Sequence, residues 1–162
     1  MFAALIAAAT SVVAFSLPAA ADPTQSWIRN DYSELCLTID GGSTANNAVA
    51  VQYTCDSHNA RYWYLVSVGG GYYNIRNVNS GKCLTIAGGS TADNAYAVQY
   101  NCDGHLSRNW RVSGTRPYVK IVNQNSGKCL TPAGGSTANL AKIVQYTCDS
   151  HPSRIWYSGF SW

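Results

Sequence analysis

All three histidines of the chain share one local setting: Asp56-Ser57-His58, Asp103-Gly104-His105 and Asp149-Ser150-His151. Each aspartate is followed five residues later by an arginine, at Arg61, Arg108 and Arg154. Carboxylate, imidazole and guanidinium within one short span can hold a metal, relay a proton or hydrogen-bond a polar ligand. Asp-x-His supplies two metal ligands, yet no third lies at suitable spacing within a copy. The same residues with a nearby serine invite a triad, but no nucleophile elbow or comparable context surrounds them. A reaction centre also gains nothing from three equivalent copies. Two readings stay open. In one, the carboxylates accept hydrogen bonds from ligand hydroxyls while His and Arg donate. In the other, each Asp caps backbone donors of a turn and pairs with its own arginine. Tyr53, Tyr100 and Tyr146 stand three residues before these aspartates. Each ring can stack on the apolar face of a ligand, or fill a core position beside a disulfide.

These residues belong to a cysteine-framed cassette that occurs three times. It runs from Cys36-Leu37-Thr38 to Cys55, from Cys83-Leu84-Thr85 to Cys102, and from Cys129-Leu130-Thr131 to Cys148, closing at Trp63, Trp110 and Trp156. Within every copy the cysteines lie 19 positions apart and the tryptophan follows 8 after the second. Four landmarks kept in register three times define a threefold internal repeat, with units at about 26–70, 71–116 and 117–162. Six cysteines allow 15 pairings. If every copy satisfies one geometry, the expected bridges are Cys36–Cys55, Cys83–Cys102 and Cys129–Cys148. Zinc is the rival use of these thiols, but short C-x-x-C pairs are absent.

Even cysteine usage points to an oxidising compartment. Residues 1–21 read as a secretory signal peptide: an apolar run from Phe2 to Leu17, then Pro18 and Ala19-Ala20-Ala21, with no Lys or Arg ahead of the run. The run is too short for a membrane span, so no membrane insertion is expected. Residues 22–162 suffice for one compact domain. The formal charge of +3 is spread thinly, without a basic stripe, which argues against nucleic acid as a partner. Few charges among many Tyr, Trp, Asn, Thr and Gly make a surface suited to neutral hydroxylated ligands.

The elements that must position these groups are short. β-Rich runs at Trp27–Arg29, Ala48–Thr54, Trp63–Val68, Tyr72–Arg76, Ala95–Asn101, Tyr118–Val122 and Lys142–Thr147 alternate with glycine turns and predict an all-β fold. Asn79-Ser80-Gly81 and Asn125-Ser126-Gly127 precede the second and third cassettes. Tyr32-Ser33-Glu34 replaces them in the first, so a different entry turn is expected there. Ile28, Ile75 and Ile121, each 8 before a first cysteine, and the three repeat tryptophans are candidate core; Gln52, Gln99 and Gln145 are read as structural. Trp27 and Trp162 lie outside the repeat pattern and are expected where the chain ends meet. Units this small cannot bury an apolar face alone, so three should close around a common axis, removing sheet edges. Four strands per unit make a β-trefoil with pseudo-threefold symmetry.

Cys-Leu-x, Gly-Gly-Ser-Thr-Ala, Val-Gln-Tyr-x-Cys and a closing Trp, with small variations between copies, resemble ricin B-type lectins. Within that group the likeness is to the carbohydrate-binding modules of bacterial xylanases and other glycosidases, over about residues 26–162. The resemblance implies a non-catalytic, secreted lectin that uses no cofactor or metal, acts as a monomer and binds neutral glycans at up to three weak sites. It places Tyr53, Tyr100 and Tyr146 at the stacking position. It also marks the position two after each first cysteine, where the family carries a sugar-binding Asp and this chain has Thr38, Thr85 and Thr131. The family's closing Gln-x-Trp is replaced as well. Asp40, where the other copies have Ala87 and Ala133, gives the first copy an acceptor the others lack, or is an exposed turn residue. Loss of the family Asp leaves a second expectation: a trefoil protein-interaction or hydrolase-inhibitor module without sugar binding.

Overall fold

The structure is a computed structural model and describes residues 24–160. The signal-peptide reading of residues 1–21 and the placement of Trp162 lie outside the described residues. Twelve strands follow one another: β1 (Ser26–Asn30), β2 (Cys36–Ile39), β3 (Ala50–Tyr53), β4 (Tyr62–Gly69), β5 (Tyr72–Asn77), β6 (Cys83–Ile86), β7 (Ala97–Tyr100), β8 (Asn109–Ser113), β9 (Tyr118–Asn123), β10 (Cys129–Pro132), β11 (Ile143–Tyr146) and β12 (Trp156–Ser158). Six of them close an antiparallel ring, β1–β4–β5–β8–β9–β12 and back to β1. The other six form three hairpins, β2–β3, β6–β7 and β10–β11, which touch one another through bridges such as Val49 to Val98 and Tyr96 to Val144. This is the β-trefoil, and ring closure leaves the barrel no open edge.

The seven β-rich runs are strands. The Cys-Leu-Thr strands were invisible to an alternation argument because all four positions of each are buried. Their Leu37, Leu84 and Leu130 join Ile28, Ile75, Ile121 and the three tryptophans in a single core. Each indole is wholly buried and donates Nε1–H to the leucine carbonyl of its own repeat, at 3.0, 2.9 and 2.9 Å. That bond removes the one polar penalty of burying tryptophan. The third repeat breaks the pattern: Ser158 stands where the others have Leu65 and Val112, and Phe160 from the following segment enters the core instead. Trp27 stacks on Tyr157 at 5.8 Å, across the β1–β12 junction that closes the barrel.

Each repeat carries its own disulfide, Cys36–Cys55, Cys83–Cys102 and Cys129–Cys148, as the spacing predicted. No bridge crosses between repeats, so the joints are made by hydrogen bonds. Gln52, Gln99 and Gln145 are fully buried, and each donates two Nε2 bonds of 2.8–2.9 Å to carbonyls in another repeat's Gly-Gly-Ser turn. Asn30, Asn77 and Asn123, which the sequence reading passed over, make a second set of joints. Their Nδ2 groups reach Ser153, Ala60 and Ser107 carbonyls of the preceding repeat, taken cyclically.

The entry turn of the first copy is not different after all. Asn30 accepts from Glu34 N–H as Asn77 does from Gly81, and Glu34 takes φ 59° where the glycines take 69° and 68°. The flanking bonds impose the left-handed conformation on glutamate, at a cost of roughly 1 kcal/mol.

Replacing Cys83 and Cys102 together by alanine should lower stability by about 3 kcal/mol. A lower urea midpoint with a slope equal to or steeper than the parent's is the expected result, because losing the bridge loosens the unfolded chain while the joints between repeats do not depend on sulfur.

Candidate functional site

The sequence-predicted groups converge on three equivalent depressions, one per repeat, of 280, 330 and 410 Å³ for the third, first and second copies. These volumes lie at or near the bottom of the ligand-pocket range of ~300–1,000 Å³, so each suits a small ligand. The first is lined by Thr38, Asp40, Tyr53, His58 and Arg61, with Leu140 from the third repeat. The second holds Thr85, Tyr100, Asp103, His105 and Arg108, with Asn47 from the first repeat. The third holds Thr131, Tyr146, Asp149, His151 and Arg154, with Asn94 from the second. Every depression is therefore a junction between two repeats.

The turn after each second cysteine is built from its own side chains. Asp56, Asp103 and Asp149 accept the backbone N–H two residues on, at 2.9, 2.9 and 3.0 Å. The same carboxylates pair with Arg61, Arg108 and Arg154 at 3.1, 3.2 and 3.1 Å. The turn reading of these aspartates is thus realised, while about half of each side chain stays open to solvent. Asp103 and Asp149 border their depressions; Asp56 makes equivalent bonds without lining the first.

The histidines cap short 3-10 turns. His58, His105 and His151 accept a backbone N–H at Nδ1 from Ala60, Ser107 and Ser153, at 3.1, 3.1 and 3.2 Å. A backbone amide can only donate, so the neutral ring carries its proton on Nε2, where it has no partner among the described residues. Glycine makes this placement possible: a Cβ on Gly42, Gly89 or Gly135 would lie 3.0, 2.9 or 2.8 Å from the histidine Cε1. These glycines also take φ of 64–66°, which side chains disfavour.

Thr38, Thr85 and Thr131 line the depressions but are buried, with hydroxyls donated to the carbonyls of Ala60, Ser107 and Ser153. The tyrosines are half-buried. One face of Tyr53, Tyr100 and Tyr146 carries its arginine, guanidinium carbon 4.7, 4.9 and 4.8 Å from the ring centre. Their hydroxyls have no hydrogen-bond partner among the described residues. Asp40 begins the 3-10 turn just after β2, so the strand does not continue through it, yet it shares the first depression with Thr38. Among the described residues, no group of three His, Cys, Asp or Glu could hold a metal ion.

The Asp149 carboxyl is held below its ordinary value of 3.8, first by the His151 N–H and next by Arg154. A depressed folded value means stability that is present above the unfolded value and lost as pH falls through the folded one. Asp149→Asn should therefore be less stable than the parent at pH near 6, and the difference should shrink as pH falls below 3.8. Thermal midpoints measured across that range check this.

A sequence profile described as "Ricin-type beta-trefoil lectin domain-like" matches residues 14–101, 60–146 and 106–161. No curated protein matches the chain significantly. A designed threefold symmetric protein, ThreeFoil, superposes with TM-score 0.82 at 29% identity, over 85% of this chain and 99% of its own. An exo-β-1,3-galactanase from Clostridium thermocellum gives 0.83 at 30% identity over 87% of this chain, which spans only 31% of the galactanase. The C-half of an earthworm R-type lectin, solved in complex with GalNAc, gives 0.70 at 15% identity, covering 86% of this chain and 100% of that one, a likeness of fold alone.

Proposed function

The chain belongs to the ricin-type β-trefoil lectin family, and we propose that it is a secreted, non-catalytic glycan-binding protein with three weak sites for neutral sugars. One observation carries the reading: three symmetric depressions each present a half-buried tyrosine with an unused hydroxyl beside a histidine with an unused Nε2–H. A pyranose ring has an apolar face for tyrosine and an equatorial rim of hydroxyls for polar groups. His58, His105 and His151 donate to that rim. The exposed oxygens of Asp103 and Asp149 accept from it, and in the first site Asp40 takes this part. The buried threonines shape the floor and hold the 3-10 turn, so the family's carboxylate chemistry moves to other positions.

Each site is shallow, and single-site affinity is expected near ~1 mM, about −4 kcal/mol. Three sites on one rigid frame gain on polymers through avidity. The disulfides suit an oxidising, extracellular setting. In a longer chain the same domain would serve as a targeting module.

Binding to glycan arrays and to insoluble xylan, chitin and cell-wall polymers tests the reading. Replacing Tyr53, Tyr100 and Tyr146 together by alanine should abolish retention, while each single change weakens it about tenfold or more by removing one arm of the avidity. Retention unaffected by the triple change, or silence across all polymers while a protein partner still binds, would favour the interaction-module reading instead.

A further inference from the structure

The three depressions are not chemically equal, and the first differs in two independent ways. In the second and third, the only lining carboxylates, Asp103 and Asp149, are each neutralised by an arginine. In the first, Arg61 is already neutralised by Asp56, and Asp40 adds a further carboxylate with no hydrogen bond or ion pair among the described residues. The first depression therefore carries one uncompensated negative charge.

The second difference lies on the wall supplied by the neighbouring repeat. Asn47 and Asn94 take φ 64° and 63°, a conformation asparagine tolerates. Leu140 takes φ 64° at the equivalent place in the first depression, where a branched side chain is strained. It is 56% exposed, the most exposed of the large apolar side chains described. The core gains nothing from this leucine, and the depression loses an amide able to serve neutral hydroxyls. One neutral hydrogen-bonding group fewer and one negative charge more shift the preference from hydroxyl toward cation.

Resting on the reading that these depressions hold sugar rings, we propose that the first is a site for amino sugars with a free, protonated amine. The ring lies against Tyr53, the ammonium pairs with Asp40, and Leu140 shields that pair from water on one side. A charge-assisted bond is stronger than the same bond to a hydroxyl. For an exposed pair the gain is a factor of about three. Acidic sugars are disfavoured in this depression by the same charge.

Amide chemical shifts of the intact chain, titrated near pH 7 with glucosamine, glucose and N-acetylglucosamine, separate the possibilities. Glucosamine should perturb residues around Asp40, Tyr53 and Leu140 with about threefold higher affinity than glucose. The depressions of Tyr100 and Tyr146 should show no such preference. Asp40→Asn should erase the preference, and molar salt should weaken it by screening. Equal affinity for amine and parent sugar at the first depression, a preference shared by all three, or one that survives Asp40→Asn would overturn the inference and leave the lectin reading intact. No response at any depression to any of these sugars would overturn this inference, and the lectin reading would fall with it only if the arrays and polymers were silent too.

Discussion

One buried glutamine per repeat clamps each unit of this molecule to a turn of its neighbour, and that turn supplies one wall of each candidate site. Gln99 shows the arrangement in full. Its side-chain amide donates to Ser43 and Ala45 carbonyls of the first repeat, and its Oε1 accepts from Ser80 at 2.7 Å. Its backbone N–H meets the Ala48 carbonyl and its own carbonyl receives Asn47 N–H. Every polar group of the residue is used, which is the condition for burying an amide at no net loss. Gln52 and Gln145 repeat the set against the third and second repeats. Because the bonded turn also carries Asn47, Asn94 or Leu140, the same clamp that joins two repeats sets one wall of a depression.

Around that clamp, most polar groups are spent on structure before any ligand arrives. The threonines bond carbonyls, the arginines bond carboxylates and cover tyrosine rings, and the histidine Nδ1 atoms cap turns. What is left unspent recurs three times, a tyrosine hydroxyl and ring edge and an imidazole Nε2–H, and each depression is lined by one carboxylate, Asp40, Asp103 or Asp149. A rigid residue of unsatisfied groups around an aromatic surface is the minimum a weak sugar site needs. Repetition then multiplies it without requiring any one site to be strong.

Much of this was legible in the sequence, and the parts that were not share a physical cause. Cysteine spacing carried the repeat, the trefoil and the disulfides, since a covalent bridge fixes a local geometry that spacing encodes. Tyr53, Asp56 and His58 and their counterparts were found because they recur; of the two roles weighed for the aspartates, the turn is realised in all three, and Asp103 and Asp149 also line a depression. The glutamine clamp was recognised as structural but not as a joint, because its partners lie 53 to 86 positions away in the chain. Asn30, Asn77 and Asn123 recur two after each core isoleucine, a triple signal of the same kind as the tyrosines. Glu34 misled for the opposite reason: a lost glycine reads as a changed turn, whereas hydrogen bonds on both sides hold the backbone in place.

The central claim is that each depression is completed by the neighbouring repeat through its glutamine. Hydrogen exchange on Gln99→Ala tests it most directly. Protection should fall in the turn around residues 43–47, which the side chain no longer holds, while the equivalent turns at 90–94 and 136–140 keep theirs. A uniform loss over all three turns, or no loss at 43–47, would contradict the account.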